Sequence, residues 1–362
     1  MRKFKFTFCC LLLCAAPVTW AQDKWVLNGF LSQYGIYTSD NFMLGPSDDN
    51  FSLDYREAAA IVHGGVSDSI NFSAQILSRK AGVSEDGSPK IDYGFFSWRL
   101  YDSPDAMHSL TAGRVKVPIG FFNDLRESPF TRNGVLVPQS AYPDRVRNSM
   151  MSADELLLTN EFRFENWNLN LATGAGSSLA DKEEAVDNFD VPINDYDLSI
   201  DRAKRWNIRM LAEYQEGKLR LAYSRYSVPA RYHAVFHPLP DINLPLNGEV
   251  KGVWDLISLE YNTEAFSLTG EFFRAIVTFS GVHIDPSNPD YRNVPQGGYL
   301  QFTYHQNPQW DFFLRYDSSV FDNEDANGKY YSTLLRNVPH YGRYTTDHAV
   351  GVAYRPTPDW LL

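Results

Sequence analysis

Residues 154–165 read DELLLTNEFRFE, and this stretch decides the fold class. Four of its apolar residues fall on even positions and four of its charged residues on odd positions: Leu156, Leu158, Phe162 and Phe164 against Glu155, Glu161, Arg163 and Glu165. Because successive residues of a β-strand point to opposite faces, the stretch predicts a strand with one apolar face and one polar face.

The same alternation recurs along the chain, for example in residues 205–214 and 310–317, and no convincing amphipathic helix follows Trp25. The pattern predicts about fourteen strands, near residues 25–38, 55–66, 69–78, 91–101, 107–115, 154–165, 167–176, 205–215, 217–227, 251–262, 264–274, 297–306, 309–317 and 347–355.

The connections between these strands alternate between short and long. Turn-type residues form the short ones, at Ser67-Asp68, Asp102–Asp105, Asn166, Glu216-Gly217, Thr263-Glu264, Asn307-Pro308 and Pro356–Asp359. The long ones cover roughly 39–54, 79–90, 116–152, 177–204, 228–250, 275–296 and 318–346. Regular segregation of loop lengths is typical of outer-membrane barrels and is not expected of a soluble sandwich. We therefore predict an all-β fold, a closed antiparallel transmembrane β-barrel.

Tryptophan positions favour the same fold. Six tryptophans lie at predicted strand ends and are assigned to two membrane-interface girdles: Trp25, Trp167, Trp206, Trp254, Trp310 and Trp360. The alternative is that tryptophans are scattered along the strands, as in any strand-rich protein.

The first 21 residues are interpreted as a secretory signal peptide cut before Gln22. Arg2, Lys3 and Lys5 precede an apolar run, and small residues occupy the cleavage positions. All three cysteines of the chain lie in this segment, so the mature protein has none. An exported domain without disulfides needs another source of stability.

Composition excludes several classes of protein. The 33 basic and 44 acidic residues give a net charge of −11, which is unfavourable for binding nucleic acid. The high content of aromatic residues excludes general disorder. No apolar run after residue 21 reaches the roughly 18 residues of a transmembrane helix.

The predicted barrel ends abruptly. A fifteenth strand begins at Asp359 but has only four residues, whereas a transmembrane strand needs about 9–11. Since an open sheet edge in lipid leaves backbone groups unpaired, we expect about 16 strands in the complete protein, with residues 22–362 a C-terminally truncated barrel domain. The alternative is a barrel of fourteen strands followed by a short stub.

The layout resembles Gram-negative outer-membrane porins of about 16 strands. The most specific stretch is Gly113–Ala153, whose opening, GRVKVPIGF, resembles a porin-like group that includes anion-selective porins. The resemblance implies a homotrimer and a third long loop folded into the lumen. A lysine ladder of the phosphate-selective kind is not obvious, so phosphate selectivity does not carry over.

Residues 116–152 form that third loop. Four prolines stiffen it, and its apolar residues (Phe121, Phe122, Phe130, Val135, Leu136 and Val137) need burial, which favours an inward fold. Capping of the outer mouth or packing on a neighbouring subunit is the alternative. The residues assigned to a pore constriction are Arg114, Lys116, Asp124, Arg126, Glu127, Arg132, Asp144, Arg145 and Arg147.

Strand residues of the polar face are assigned to the pore wall: Arg99, Glu161, Arg163, Arg209, Glu213, Arg220, Glu271 and Arg315. Carboxylates facing arginines would place a transverse field across the pore. An excess of arginines over acids near the constriction predicts a weak anion preference. Equally open is the alternative that these charges pair with each other and only shape the loop.

Outer-membrane lipid and lipopolysaccharide are expected partners, with small hydrophilic solutes in transit. The acidic loop 177–204 is either a solvated loop or a site for divalent cations near lipopolysaccharide. His233 and His237 lie in a proline-rich loop without a nearby cysteine, which disfavours a metal site. No metal and no cofactor are predicted.

The sequence predicts a porin that passes small solutes by diffusion, and not an enzyme, because no established catalytic motif is present. Nothing among the serines and histidines singles out a hydrolase pair. The main alternative is a surface adhesin or receptor acting through its long loops. Localisation is expected in the bacterial outer membrane.

Overall fold

The computed structural model describes residues 25–39, 46–82, 85–132, 134–178, 196–239, 242–285, 288–330 and 343–361. The predicted signal peptide lies outside these residues. Within them, no helix is long and apolar enough to span a membrane.

Fourteen strands form a continuous antiparallel wall in which sequence neighbours pair. They are β1 Trp25–Gln33, β4 Arg56–Gly65, β5 Ile70–Ala81, β6 Glu85–Asp102, β7 Ala106–Lys116, β8 Ser152–Arg163, β9 Trp167–Ser178, β11 Lys204–Tyr214, β12 Leu219–Ser227, β14 Ile242–Asn262, β15 Phe266–Asp285, β17 Gln296–Asn307, β18 Trp310–Val320 and β19 Tyr344–Tyr354. All fourteen predicted strands correspond to these elements, and the prediction of an all-β antiparallel fold is confirmed.

Five further strands lie in the long connections. They are β2 Ile36–Tyr37, β3 Phe51–Ser52, β10 Tyr196–Asp201, β13 Ala230–Leu239 and β16 Asn288–Asn293. β13 pairs with β10 and with the first part of β14, and β16 pairs with the last part of β15. One short helix, α1 Arg147–Met151, and 3-10 turns at Pro129–Thr131, Asp144–Val146 and Asn323–Asp325 complete the regular structure of the described residues.

Three of the predicted long loops are therefore largely strands. The prediction for 79–90 is wrong, since β5 and β6 continue their pairing to Ala81↔Glu85. Much of 228–250 and 275–296 is likewise extended and paired. These parts were predicted as loops because 228–250 contains four prolines and because polar and apolar residues are mixed at both parities of 275–285.

The two faces of the wall differ in polarity. On one face, which we call the outer face, large apolar side chains are exposed, such as Leu156 at 57%, Ile257 at 60% and Val350 at 80%. On the other, the inner face, charged and polar side chains are buried, among them Glu57, Arg79 and Glu271. The predicted alternation of residues 154–165 follows this division, with Leu156 and Phe164 outside and Glu155 inside.

Residues 117–151, which connect β7 to β8 and which we call the inner segment, pack on the inner face. Leu136 packs against a cluster of Tyr34, Tyr55 and other residues at the β1–β5 side of the wall. Its carbonyl oxygen also accepts a hydrogen bond from Arg315 of β18 at 3.2 Å. In a flat sheet, β4 and β18 would be about 50 Å apart, at about 4.8 Å for each of eleven strand spacings.

The wall must therefore curve strongly around the inner segment. Among the described residues, β1 pairs only with β4 and β19 only with β18, so the sheet is open between these two strands. Closure of the barrel stays a prediction, as does the total of about 16 strands.

Candidate functional site on the inner face

The conformation of the chain at the start of the inner segment requires the second glycine of the GRVKVPIGF stretch, Gly120. Gly120 has φ of 55°, a left-handed backbone conformation that favours glycine. A Cβ atom there would lie 2.1 Å from the hydroxyl oxygen of Tyr142 and 2.5 Å from Oε1 of Glu271. Only glycine lets the chain pass this close to both groups.

Glu271 of β15 anchors this region to the wall. Its carboxylate accepts hydrogen bonds from the Tyr142 hydroxyl at 2.7 Å, the Phe121 amide at 3.0 Å and the Tyr299 hydroxyl at 2.7 Å. Ser258 Oγ donates a further bond at 2.5 Å. Four donors from the inner segment, β14 and β17 thus meet at one buried carboxylate, which compensates the loss of its hydration.

A chain of buried ion pairs joins the middle of the inner segment to β4 and β5. Arg132 donates to Glu57 at 2.6 Å, and Arg79 Nε donates to the same carboxylate at 3.1 Å. Arg79 also reaches Asp144 at 2.7 Å, and Asp144 accepts from Arg126 at 3.1 Å. All five side chains are less than one-tenth exposed.

A second group of buried charges lies at the end of the inner segment. Arg147 of α1 is paired with Glu127 and, at 3.1 Å, with Glu85 of β6. Beside it, Lys116 lies 2.5 Å from Asp92. Together the two groups contain five cations and five carboxylates. We call these ten residues the buried ion-pair cluster: Glu57, Arg79, Glu85, Asp92, Lys116, Arg126, Glu127, Arg132, Asp144 and Arg147.

Two carboxyl groups of the inner segment have shifted acidities. Burial raises the pKa of Glu127, but Arg147 and then Lys116 lower it more, and the pKa falls from 4.5 to about 2. Burial also raises the pKa of Asp144, whereas Arg79 and Arg126 together hold it below the ordinary 3.8. Both groups are therefore carboxylates over the physiological range of pH.

Further contacts hold the inner segment to the opposite side of the wall. Asp124 lies 3.0 Å from Arg209 of β11, and the Ser140 amide donates to Asp317 of β18 at 3.3 Å. Together with the anchors above, contacts reach strands from β4 to β18. Of the six apolar residues predicted to need burial, Phe121 and Val137 are buried, and the other four are partly buried and pack against buried clusters: Phe122, Phe130, Val135 and Leu136.

The structure brings together most of the predicted constriction residues, with two exceptions. Arg114 lies on the outer face, where Nε is 3.1 Å from Asp154, because β7 places it opposite Asp154 in the register. Its assignment to the inside is therefore wrong, and the predicted excess of arginines loses one member. The side chain of Arg145 lies outside the described residues. The other seven are paired with opposite charges.

The predicted wall residues fall into two sets. Arg209, Glu271 and Arg315 hold the inner segment, and Arg220 also contacts it, because its guanidinium carbon lies 4.6 Å from the centre of the Phe121 ring. The other five lie toward the short-turn ends of their strands: Arg99, Glu161, Arg163, Glu213 and Arg220. In this set Arg163 pairs with Glu161 at 2.7 Å, and Arg220 bridges Glu213 and Glu260 at 2.9 Å each. Arg99 pairs with the exposed Asp102.

Of the six girdle tryptophans, four lie on the outer face at strand ends: Trp25, Trp167, Trp206 and Trp310. Trp254 was assigned wrongly, because it has the same parity in β14 as the buried Leu256 and stacks on Tyr226 at the inner face. Trp360 lies in no strand and packs against Ala353, Leu361 and Phe130.

Several residues of the site were missed from sequence. Glu57, Arg79 and Glu85 are wall partners of the inner segment, Asp92 is the partner of Lys116 at the end of β7, and Tyr142 is the main uncharged anchor of the segment. Glu57 and Arg79 occupy the polar parity of their strands, so the alternation pattern could have found them. Nothing local distinguishes Tyr142, because its partner is 129 residues away.

Within the described part of the chain, no group of three or more His, Cys, Asp or Glu side chains could hold a metal ion. His233 contacts Asn247 at 2.9 Å and Asp201 at 3.1 Å. Most of the acidic loop, 179–195, lies outside the described residues, so the cation hypothesis stays a prediction.

No protein-family model matches the chain, and no curated protein matches it. Solved structures to which it is similar include outer-membrane porins and channels. The outer-membrane channel DcaP of Acinetobacter baumannii has a TM-score of 0.49 and 11% identity, covering 99% of this chain and 89% of that one. The trimer form of OmpT, an outer-membrane protein of Vibrio cholerae, has a TM-score of 0.37 and 9% identity over 82% and 89%. An anion-selective porin from Comamonas acidovorans has a TM-score of 0.35 and 9% identity over 87% and 89%.

Proposed function

We propose that the protein is an outer-membrane channel of the porin type, through which small hydrophilic solutes or ions diffuse along the inner face of a β-barrel. The observation that carries this proposal is the reversed polarity of the wall, with apolar side chains exposed outside and charges buried inside. A soluble protein rarely exposes so large a continuous apolar surface, whereas a barrel in lipid requires it.

In this proposal the inner segment narrows the channel. Its contacts with strands across the wall, from Glu57 in β4 to Asp317 in β18, support a fixed position inside the lumen. Permeation would then depend on the space that the segment leaves free and on the charges around it. The buried ion-pair cluster has five charges of each sign, so the segment's anchoring adds no net charge to the pathway.

This balance favours the alternative in which the charges of residues 116–152 pair with each other and only shape the loop. We therefore expect weak ion selectivity instead of the anion preference predicted from counting arginines. The proposal further includes removal of residues 1–21 as a signal peptide and assembly as a homotrimer, which the porin resemblance implies.

Single-channel recording in a planar lipid bilayer tests the proposal. Steady conductance steps with a reversal potential close to zero under a KCl gradient are expected. No steps from a folded protein would contradict the channel and would favour the alternative, an adhesin or receptor acting through its outer hairpins.

A pair of neighbouring substitutions tests which face meets lipid. Leu158 of β8 lies on the outer face and Thr159 on the inner face, and the mature chain has no cysteine of its own. In lipid vesicles, Thr159→Cys should react with a water-soluble thiol reagent, whereas Leu158→Cys should react only with a lipid-soluble one. The reverse pattern, or equal reaction of both with the water-soluble reagent, would contradict the proposal.

A further inference from the structure

The outer face carries a row of charges at one end of β7, β8, β9 and β11. The register places Arg114 opposite Asp154, Asp154 opposite Ser177, and Ser177 opposite Lys204. Because neighbouring strands are about 4.8 Å apart, the row is about 15 Å long. Arg202, just before β11, joins it through a contact with Asp154.

The row contains three cations but only one carboxylate, Asp154, which pairs with two of them. Arg114 Nε lies 3.1 Å from Asp154, and Arg202 Nη1 lies 2.6 Å from its other oxygen. Lys204 is exposed and makes no side-chain ion pair or hydrogen bond with any other described residue. The row therefore has a net charge of +2, although the whole chain has a net charge of −11. We call Arg114, Arg202 and Lys204 the cationic row.

Apolar surface adjoins the cationic row on the side of the short turns. Leu156 follows Asp154 on the outer face of β8 and is 57% exposed. Trp206 follows Lys204 on the outer face of β11 and is 38% exposed. A molecule that contacts the row and this surface together would need an anionic group attached to an apolar body.

The height of the row on the wall fits the edge of a membrane. Arg114 lies eight residues from the short-turn end of β7, and Lys204 lies ten residues from that of β11. A transmembrane strand needs about 9–11 residues to cross the apolar core of a bilayer. The cationic row therefore lies one membrane thickness from the short turns, on the side of the long connections. In outer-membrane barrels this is the extracellular side.

We propose that the cationic row binds the phosphate groups of a lipopolysaccharide molecule in the outer leaflet, while Leu156 and Trp206 contact its acyl chains. Guanidinium and ammonium groups at the boundary attract anionic headgroups and can extend toward them from the strand. The inference rests on the proposed outer-membrane location, but it does not depend on whether the lumen conducts.

Binding of purified diphosphoryl lipid A to the full-length protein in mild detergent tests the inference, with native mass spectrometry counting the bound lipid. Arg202→Gln combined with Lys204→Gln should weaken binding by about tenfold or more, since each surface cation adds to the attraction of anionic lipid. Arg114 is left in place to limit disturbance of Asp154. Lys204→Gln alone should give a smaller loss in the same direction.

The matched control is Arg99→Gln combined with Lys218→Gln. It removes two exposed cations from the short-turn end of the wall and should leave lipid A binding unchanged. Lipid A without phosphates should bind the unmodified protein more weakly than the diphosphoryl form. Equal losses in both double variants, or equal binding of the two lipids, would overturn the inference.

Conductance of the same unmodified preparation separates the two proposals. Open channels without lipid A binding would reject the cationic row as a lipid site and leave the porin intact. Phosphate-dependent binding that the row variants weaken, in a protein that does not conduct, would support the lipid site and reject only the channel.

Discussion

The inner segment and the outward hairpin formed by β13 and the first half of β14 are both long connections in the sequence, but they have opposite environments. In the inner segment, charged side chains such as Arg132 and Glu127 are buried and paired. In the hairpin, Glu249 also faces two cations, yet Arg231 and Lys251 are 66% and 69% exposed. Ion pairs in the two regions should therefore contribute differently to the free energy of unfolding, because water screens the exposed pairs of the hairpin and not the buried pairs of the inner segment.

The sharpest test of this comparison removes one carboxylate from each region. Glu57→Ala leaves Arg79 and Arg132 buried without a common partner and should lower the free energy of unfolding by about 3–5 kcal/mol. Glu249→Ala removes an equivalent two-cation partner from the hairpin and should cost less than about 1 kcal/mol. Urea unfolding in detergent, followed by tryptophan fluorescence, measures both. Similar losses would show that burial does not distinguish the two regions.

A second pair of substitutions separates close packing from backbone strain. Gly120 and Gly217 both have positive φ, at 55° and 90°. A Cβ at Gly217 has its nearest neighbour at 3.8 Å, whereas one at Gly120 overlaps Tyr142. Gly120→Ala should therefore destabilise the protein by about 1–3 kcal/mol more than Gly217→Ala, the usual cost of overpacking. Equal effects of the two substitutions in unfolding experiments would mean that backbone strain alone accounts for the need for glycine at position 120.

Loss of a single hydroxyl should have a smaller effect. Tyr142→Phe removes the donor to Glu271 and leaves the Phe122 amide without its acceptor, which should cost about 1–3 kcal/mol. It should also increase current noise, since the start of the inner segment is held less firmly. Tyr223→Phe is the control, because its hydroxyl bonds Asp255 on the exposed outer face. If Tyr142→Phe changed neither the current noise nor the stability, Tyr142 would not be an anchor of the inner segment.

Mild acidification should have the smallest effect. The pKa of Glu127 is lowered to about 2 in the folded protein, and that of Asp144 is lowered as well. A lowered folded-state pKa stabilises the fold above the unfolded value of about 4.5, and this contribution is lost as pH falls toward 2. At pH 4 the loss should be about 1 kcal/mol. Glu127→Gln should reduce this pH dependence, and an unchanged slope would contradict the assignment.

Strand positions were predictable from sequence because alternation reports local exposure. In residues 154–165 the apolar positions, such as Leu156 and Phe164, face outward and the polar position Glu155 faces inward. The same division between an apolar outer face and a polar inner face describes the wall as a whole. The prediction failed in two ways. It missed the outer halves of β14 and β15, because prolines interrupt 228–250 and because polar and apolar residues are mixed at both parities of 275–285, and it placed Trp254 by strand end without regard to parity.

The partners of the inner segment were not predictable in this way. The sequence identified a stiff, apolar and charged connection, but no local pattern couples Arg132 to Glu57 or Tyr142 to Glu271, which are 75 and 129 residues apart. Arg114 is a further example. Its place in the GRVKVPIGF stretch predicted a position near the constriction, but the register of β7 and β8 places its side chain on the outer face, beside Asp154.

Most strands, their apolar faces and the unusual composition of residues 116–152 can be read from the chain alone, because they depend on neighbouring residues and a period of two. The charges that meet on the inner face, and the row of cations on the outer face, became visible only in the folded molecule. Those arrangements depend on the curvature and register of fourteen paired strands, and a change of register by one residue would exchange the two faces.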